Sequence, residues 1–102
     1  MRPFSYMTKR FEIDPRLKQI ADHYGFDAQA EKTIKEMAEL IVEIKHHDNY
    51  MSAIEELADV KIMIDQLVYL VRKDQENAEY FDYESNFKIE RQLKRIAEEE
   101  QA

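Results

Sequence analysis

Cysteine is absent from the 102 residues, glycine occurs once and proline twice. Without cysteine there is no disulfide framework, no thiolate metal site and no thiol nucleophile. Pro3 and Pro15 lie in the first fifteen residues, and neither proline nor glycine occurs from Phe26 onward. Sheet proteins need turn residues at short intervals, so this scarcity points to long helices joined by short polar connections. Long apolar runs are missing too: none approaches the roughly 18 residues a membrane-crossing helix needs. The opening residues, Met1 to Tyr6, lack the apolar core of a signal peptide. We therefore expect a cytoplasmic protein with no membrane partner. Positive charge is also short, with 15 Lys and Arg against 22 Asp and Glu, a net charge of −7. That balance disfavours a nucleic acid as partner. A phosphorylated small molecule is compatible only if metal ions carry the opposing charge.

What is present reads as one all-α domain, 1–102, of four-helix-bundle type. Residues 1–13 hold Phe4, Tyr6, Met7 and Phe11 among basic residues without a period, an arm that packs on the body or on another chain. Asp14 and Pro15 start a short helix as N-cap and first-turn proline, and Gly25 ends it. Its apolar stripe is Leu17, Ile20, Ala21 and Tyr24. Asp27 then caps a second helix that ends near His46–Asn49, with Ala30, Ile34, Met37, Ala38, Ile41 and Ile44 at helical period. Ser52 and Glu55 resemble a capping box for a third helix, which could also begin near Asn49 and runs to about Lys73. From Val60 to Val71 that helix is apolar on most sides, so protein should surround it. Four helices cover only part of such a surface, and the remainder predicts a second copy of the chain. Residues 74–86, with Tyr80, Phe81 and Tyr83, read as a loop or irregular helix. A last helix over 84–100 sets Phe87, Ile89, Leu93 and Ile96 against a basic face of Lys88, Arg91, Lys94 and Arg95.

Two carboxylate pairs of one shape stand out in this frame: Glu36-Met-Ala-Glu39 and Glu56-Leu-Ala-Asp59. The i, i+3 spacing puts both acids of a pair on one helix face, about 5–6 Å apart. Ile34, Met37, Ala38 and Ile41 surround the first pair, and Ile54, Leu57, Ala58 and Val60 the second. A carboxylate beside a buried stripe is costly unless a cation neutralises it. A single such pair is usually a solvated helix face. Two matched pairs, each with an alanine before its last acid to admit a neighbouring helix, suggest a divalent-metal site. Mg²⁺ is a hard cation that takes carboxylate, water and phosphate oxygens. His23, His46 and His47 are expected at a helix end or in a connection and are not needed as ligands. Lys61 and Asp65 form an intrahelical i, i+4 pair.

Lys35-Glu-Met-Ala-Glu-Leu40 followed by Glu55-Glu-Leu-Ala-Asp-Val60 resembles the ExxE…ExxD signature of the MazG-like all-α nucleoside triphosphate pyrophosphohydrolases, a superfamily that includes the dimeric dUTPases. The match covers 27–72, and the stretch Lys88–Ile96 looks like the tail of small phage-type members. The resemblance implies a MazG-type bundle that assembles as a homodimer or homotetramer. It also implies Mg²⁺, or Mn²⁺ in its place, held by Glu36, Glu39, Glu56 and Asp59 as catalytic residues. The implied reaction cleaves a nucleoside triphosphate between its α and β phosphates, giving the monophosphate and pyrophosphate. Lys35 departs from the family pattern, which often has two acids at the start of the first half-motif. Lys32 and Lys35, with Lys88, Arg91 and Arg95 on one face of the last helix, are candidates for the triphosphate tail. Tyr80, Phe81, Tyr83, Phe4, Tyr6 and Phe11 could stack a base but fit core or interface anchors better. The reading from a different class is a non-catalytic helical module that senses nucleotides or binds a protein.

Overall fold

Helix formation starts where Asp14 and Pro15 place it. The Asp14 carboxylate accepts the Arg16 N–H at 2.9 Å and pairs with the Arg16 guanidinium at 2.6 Å. Arg16 holds that carboxyl low, at about 2. In the computed structural model, which describes residues 12–46 and 50–102, four helices follow: α1 (Pro15–Tyr24), α2 (Phe26–His46), α3 (Tyr50–Val71) and α4 (Gln75–Gln101). The all-α expectation holds for the described residues. The aromatic arm expected over 1–13 lies, up to Phe11, outside them.

Gly25 separates α1 from α2 at φ 86° and ψ 172°, and its N–H donates to the Ala21 carbonyl at 2.8 Å. That backbone region is open to glycine and strained for residues with a Cβ. Asp27, expected as a cap, instead lies in the first turn of α2, where its charge suits the helix dipole. Ser52 likewise lies inside α3 rather than at its cap.

Contacts divide the chain into two compact units, one of them Glu12–Val71 and the other containing Arg72–Ala102. In the first, α3 packs most extensively on α2 and next on α1. Ala21 is fully buried, and the Tyr69 hydroxyl donates to both Asp22 carboxylate oxygens at 2.9 and 3.0 Å. Lys18 sits 5.9 Å above the Tyr69 ring. These contacts tie α1 to α3.

The α2–α3 seam is polar. Gln29, Thr33, Glu36, Leu40 and Glu43 on α2 recur at spacings of four and three and are all buried or half-buried. Ser52, Glu56, Asp59, Met63, Gln66 and Leu70 do the same on α3. This alternation is that of a coiled-coil seam. Gln29, near the start of α2, donates to Gln66 Oε1, near the end of α3, at 2.7 Å, so the two helices run antiparallel. The expected apolar stripe of α2 does not form this seam: Ile34 is 68% exposed, Ile41 59% and Met37 44%. Ala38 and Ala58 are exposed as well, so neither provides the close helix approach expected of it. The pattern at helical period was real, but it marks a face turned about a quarter turn from the seam, at ~100° per residue.

In the second unit, the loop or irregular helix expected over 74–86 is instead the first half of α4, a helix of 27 residues. Asp74 caps it by accepting the Asn77 N–H at 3.1 Å, and Gln75 bonds Glu79 at 3.0 Å. A half-buried ion pair joins Arg72 to Asp82 across the first turns. Good helix formers lie on either side of the aromatic cluster, Gln75, Glu76, Ala78 and Glu79 before it and the run from Lys88 after it, with no glycine or proline to break the helix between them.

Gly25→Ala should lower stability by about 1–3 kcal/mol. No atom lies within 4 Å of the added Cβ, so backbone strain alone sets the loss. Urea unfolding should show a lower midpoint at unchanged slope.

Candidate metal centre

The seam's register decides which acids meet. Counting from the Gln29–Gln66 pair, seven residues forward on α2 and seven back on α3 reach Glu36 and Asp59. Ten residues reach Glu39 and Glu56. One carboxylate oxygen from each of Glu36, Glu56 and Asp59 lies within 4.8 Å of the others, and all three residues are half-buried. Three of the four expected ligands are thus brought together.

Glu39 is outside that triad but close in charge. The Glu56 carboxyl is pushed above the ordinary glutamate range, first by desolvation and then by the charges of Glu39, Asp59, Glu36 and Glu43, in that order. Glu56 Oε2 has lost contact with solvent and accepts no hydrogen bond among the described residues. Such an oxygen is costly in its charged form. Every donor in the cluster is a hard carboxylate oxygen, the chemistry that Mg²⁺ and Mn²⁺ take. The residues fit such an ion, and among the described residues no histidine belongs to the group.

Glu43 is the acid the sequence reading missed. It lies seven residues beyond Glu36 and four beyond Glu39, so the same helix face carried the signal. The two seam glutamines were missed as well, since a lone Gln within a helix carries no motif.

Lys32 and Lys35 are exposed on α2, one turn before Glu36 and Glu39 respectively. The other three basic candidates belong to α4, each engaged within that helix. Lys88 pairs with Glu84 at 2.6 Å, Arg91 lies 5.6 Å over the Phe87 ring, and Arg95 donates to Gln92 at 3.3 Å. Phe87 in turn stacks with Tyr83 at 6.3 Å, while Tyr80 is exposed. Phe4, Tyr6, Phe11 and His47 lie outside the described residues. The expected Lys61–Asp65 pair is present at 2.7 Å.

Among the described residues, fold and site come together as an all-helical architecture with a carboxylate cluster in a polar helix seam. Comparisons with protein-family models, with curated proteins and with solved structures each find no match.

The raised Glu56 carboxyl has a pH consequence. The folded state holds this proton more tightly than the unfolded chain, so its stabilising effect is complete below the ordinary glutamate range. It is lost as pH rises through the raised value. The Glu56 contribution to the thermal stability of metal-free protein should therefore fall as pH rises above the ordinary glutamate value of 4.5. Glu56→Gln should flatten that part of the profile and raise the melting temperature at pH values above the raised Glu56 range. A steeper fall in Glu56→Gln than in the parent would contradict the assignment.

Proposed function

We propose that the protein is a Mg²⁺-dependent nucleoside triphosphate pyrophosphohydrolase. The observation that carries this reading is the convergence of Glu36, Glu56 and Asp59 within 4.8 Å, two of them from one half-motif and one from the other. The ExxE…ExxD resemblance supplies the reaction class. Water adds at the α-phosphorus, the bond to the bridging oxygen breaks, and pyrophosphate leaves from a nucleoside monophosphate.

Glu36, Glu56 and Asp59 are the residues that would hold the cation, with Glu39 beside them as the charge that most affects Glu56. A bound divalent ion supplies charge neutralisation for the phosphates and lowers the pKa of bound water. The chain's own share is the fixed placement of its acids by two long helices. Lys32 and Lys35 add exposed positive charge on the same helix as Glu36, available to the triphosphate tail. Lys88, Arg91 and Arg95 are each engaged with partners on α4.

The homo-oligomer belongs to the same proposal. In an antiparallel helix pair, equal advances around each helix turn toward the same side of the pair. Ile34, Met37 and Ile41 on α2 therefore share a side with Leu57 and Ile64 on α3, and all five are exposed. A contiguous apolar face of this kind marks an interaction surface, and a second copy of the chain presents the same face in return.

Pure protein incubated with Mg²⁺ and a panel of canonical and modified nucleotides should release pyrophosphate from at least one of them. Asp59→Asn should lower that activity about 10²-fold or more while circular dichroism remains helical. Stabilisation by Mg²⁺ and a non-hydrolysable analogue without turnover would leave a nucleotide sensor. A melting curve indifferent to both would leave an interaction module. Light scattering should give a dimer or tetramer, and Ile41→Glu should shift it toward monomer.

A further inference from the structure

The motif residues do not themselves explain why α2 turns its acids, rather than its isoleucines, toward α3. Gln29 and Gln66 are 4% and 2% exposed, deeper in the seam than any of the acids. The Gln29 amide donates to Gln66 Oε1 at 2.7 Å. The Gln66 amide donates in turn to the Ile62 carbonyl at 3.1 Å and lies 3.7 Å from the Met63 sulfur. Thr33, 3% exposed, donates to the Gln29 carbonyl at 2.6 Å and fills the next seam position.

This pairing exists at one relative rotation only. A quarter turn of α2 alone would bring Ile34, Met37 and Ile41 against α3, a gain in buried apolar area. It would also carry Gln29 out and leave the buried Gln66 oxygen without its donor. A buried amide pair of this kind works as a register device, as single polar residues do in coiled-coil seams.

We propose that Gln29 and Gln66 are positioning residues for the acidic centre: their hydrogen bond fixes the facing surfaces of α2 and α3, and so brings Glu36 onto Glu56 and Asp59. The metal-binding consequence rests on the function proposed above; the rotational one does not.

The test replaces both amides together, so that neither is stranded. Met matches Gln in length, and Gln29→Met/Gln66→Met should keep its helix content and its melting temperature without metal. Gln29→Leu/Gln66→Leu serves as the second variant should the first not fold. Rotation is read by oxidative cross-linking in a chain with no native cysteine. In the Gln background, Glu36→Cys/Asp59→Cys should cross-link faster than Met37→Cys/Asp59→Cys. In the Met background that preference should be lost. Apparent Mg²⁺ affinity, read from the thermal shift on addition of MgCl₂ to chains without cysteine substitutions, should weaken about 10–100-fold. Unchanged cross-linking preference with unchanged Mg²⁺ affinity would overturn the positioning role and leave the metal reading intact. A lost preference in a protein whose parent shows no Mg²⁺ response would support the positioning role and overturn the metal reading.

Discussion

Carboxylates facing one another across a helix seam are the constraint to which the rest of the fold answers. Each acid in the cluster is half-buried, and together they raise the cost of charging Glu56. Desolvation and like-charge repulsion push in the same direction, so neither can offset the other. What opposes them is remote from the site: the amide pair at the far end of the seam, and the packing of α1 on α3 through Ala21 and the Asp22–Tyr69 bond. Two helices each longer than twenty residues transmit that placement rigidly to the acids.

The same choice accounts for the apolar surface. Once Gln29, Thr33, Glu36, Leu40 and Glu43 occupy the seam, the isoleucine face of α2 has no place within the helix pair. A chain whose best hydrophobic stripe stays exposed forgoes much of the burial energy available to it. That arrangement is sensible for a helix pair that meets a further apolar surface. On the proposed function it would also separate two jobs along each helix, with a second copy met on one face and a cation held on another.

Much of this was legible in the residues, and the limits have definite causes. Asp14, Pro15 and Gly25 mark the ends of α1 because each acts through its own backbone, within one turn. The acids of the two half-motifs were legible for a similar reason, since i, i+3 spacing fixes their shared face whatever the helix packs against. The face α2 presents to α3 was not legible. Periodicity locates an apolar stripe but does not say which neighbour it meets, and here the stripe and the seam lie a quarter turn apart. Residues 74–86 failed differently: the aromatic cluster suggested irregularity, while the Asp74 cap and good helix formers on both sides of the cluster, with no glycine or proline between them, carry α4 straight through it. Glu43 went unnoticed because it belongs to no pair, although it continues the face of Glu36.

One seam thus uses two solutions to the problem of polar groups between helices. At the Gln29–Gln66 end the groups satisfy each other, since an amide carries both donor and acceptor. At the acidic end they cannot, because ionised carboxylates only accept. A proton on Glu56 relieves the crowding below its raised range, and above that range the demand for a cation returns. Lys61, the nearest lysine along α3, is already bound to Asp65. Lys32 and Lys35 project as exposed side chains from α2 rather than into the seam. A small divalent ion meets the geometry better than a lysine would, because it brings two charges without a stem to be buried and can serve three oxygens at once. The asymmetry between the two ends of one seam is therefore the physical reason to look for an ion at one of them.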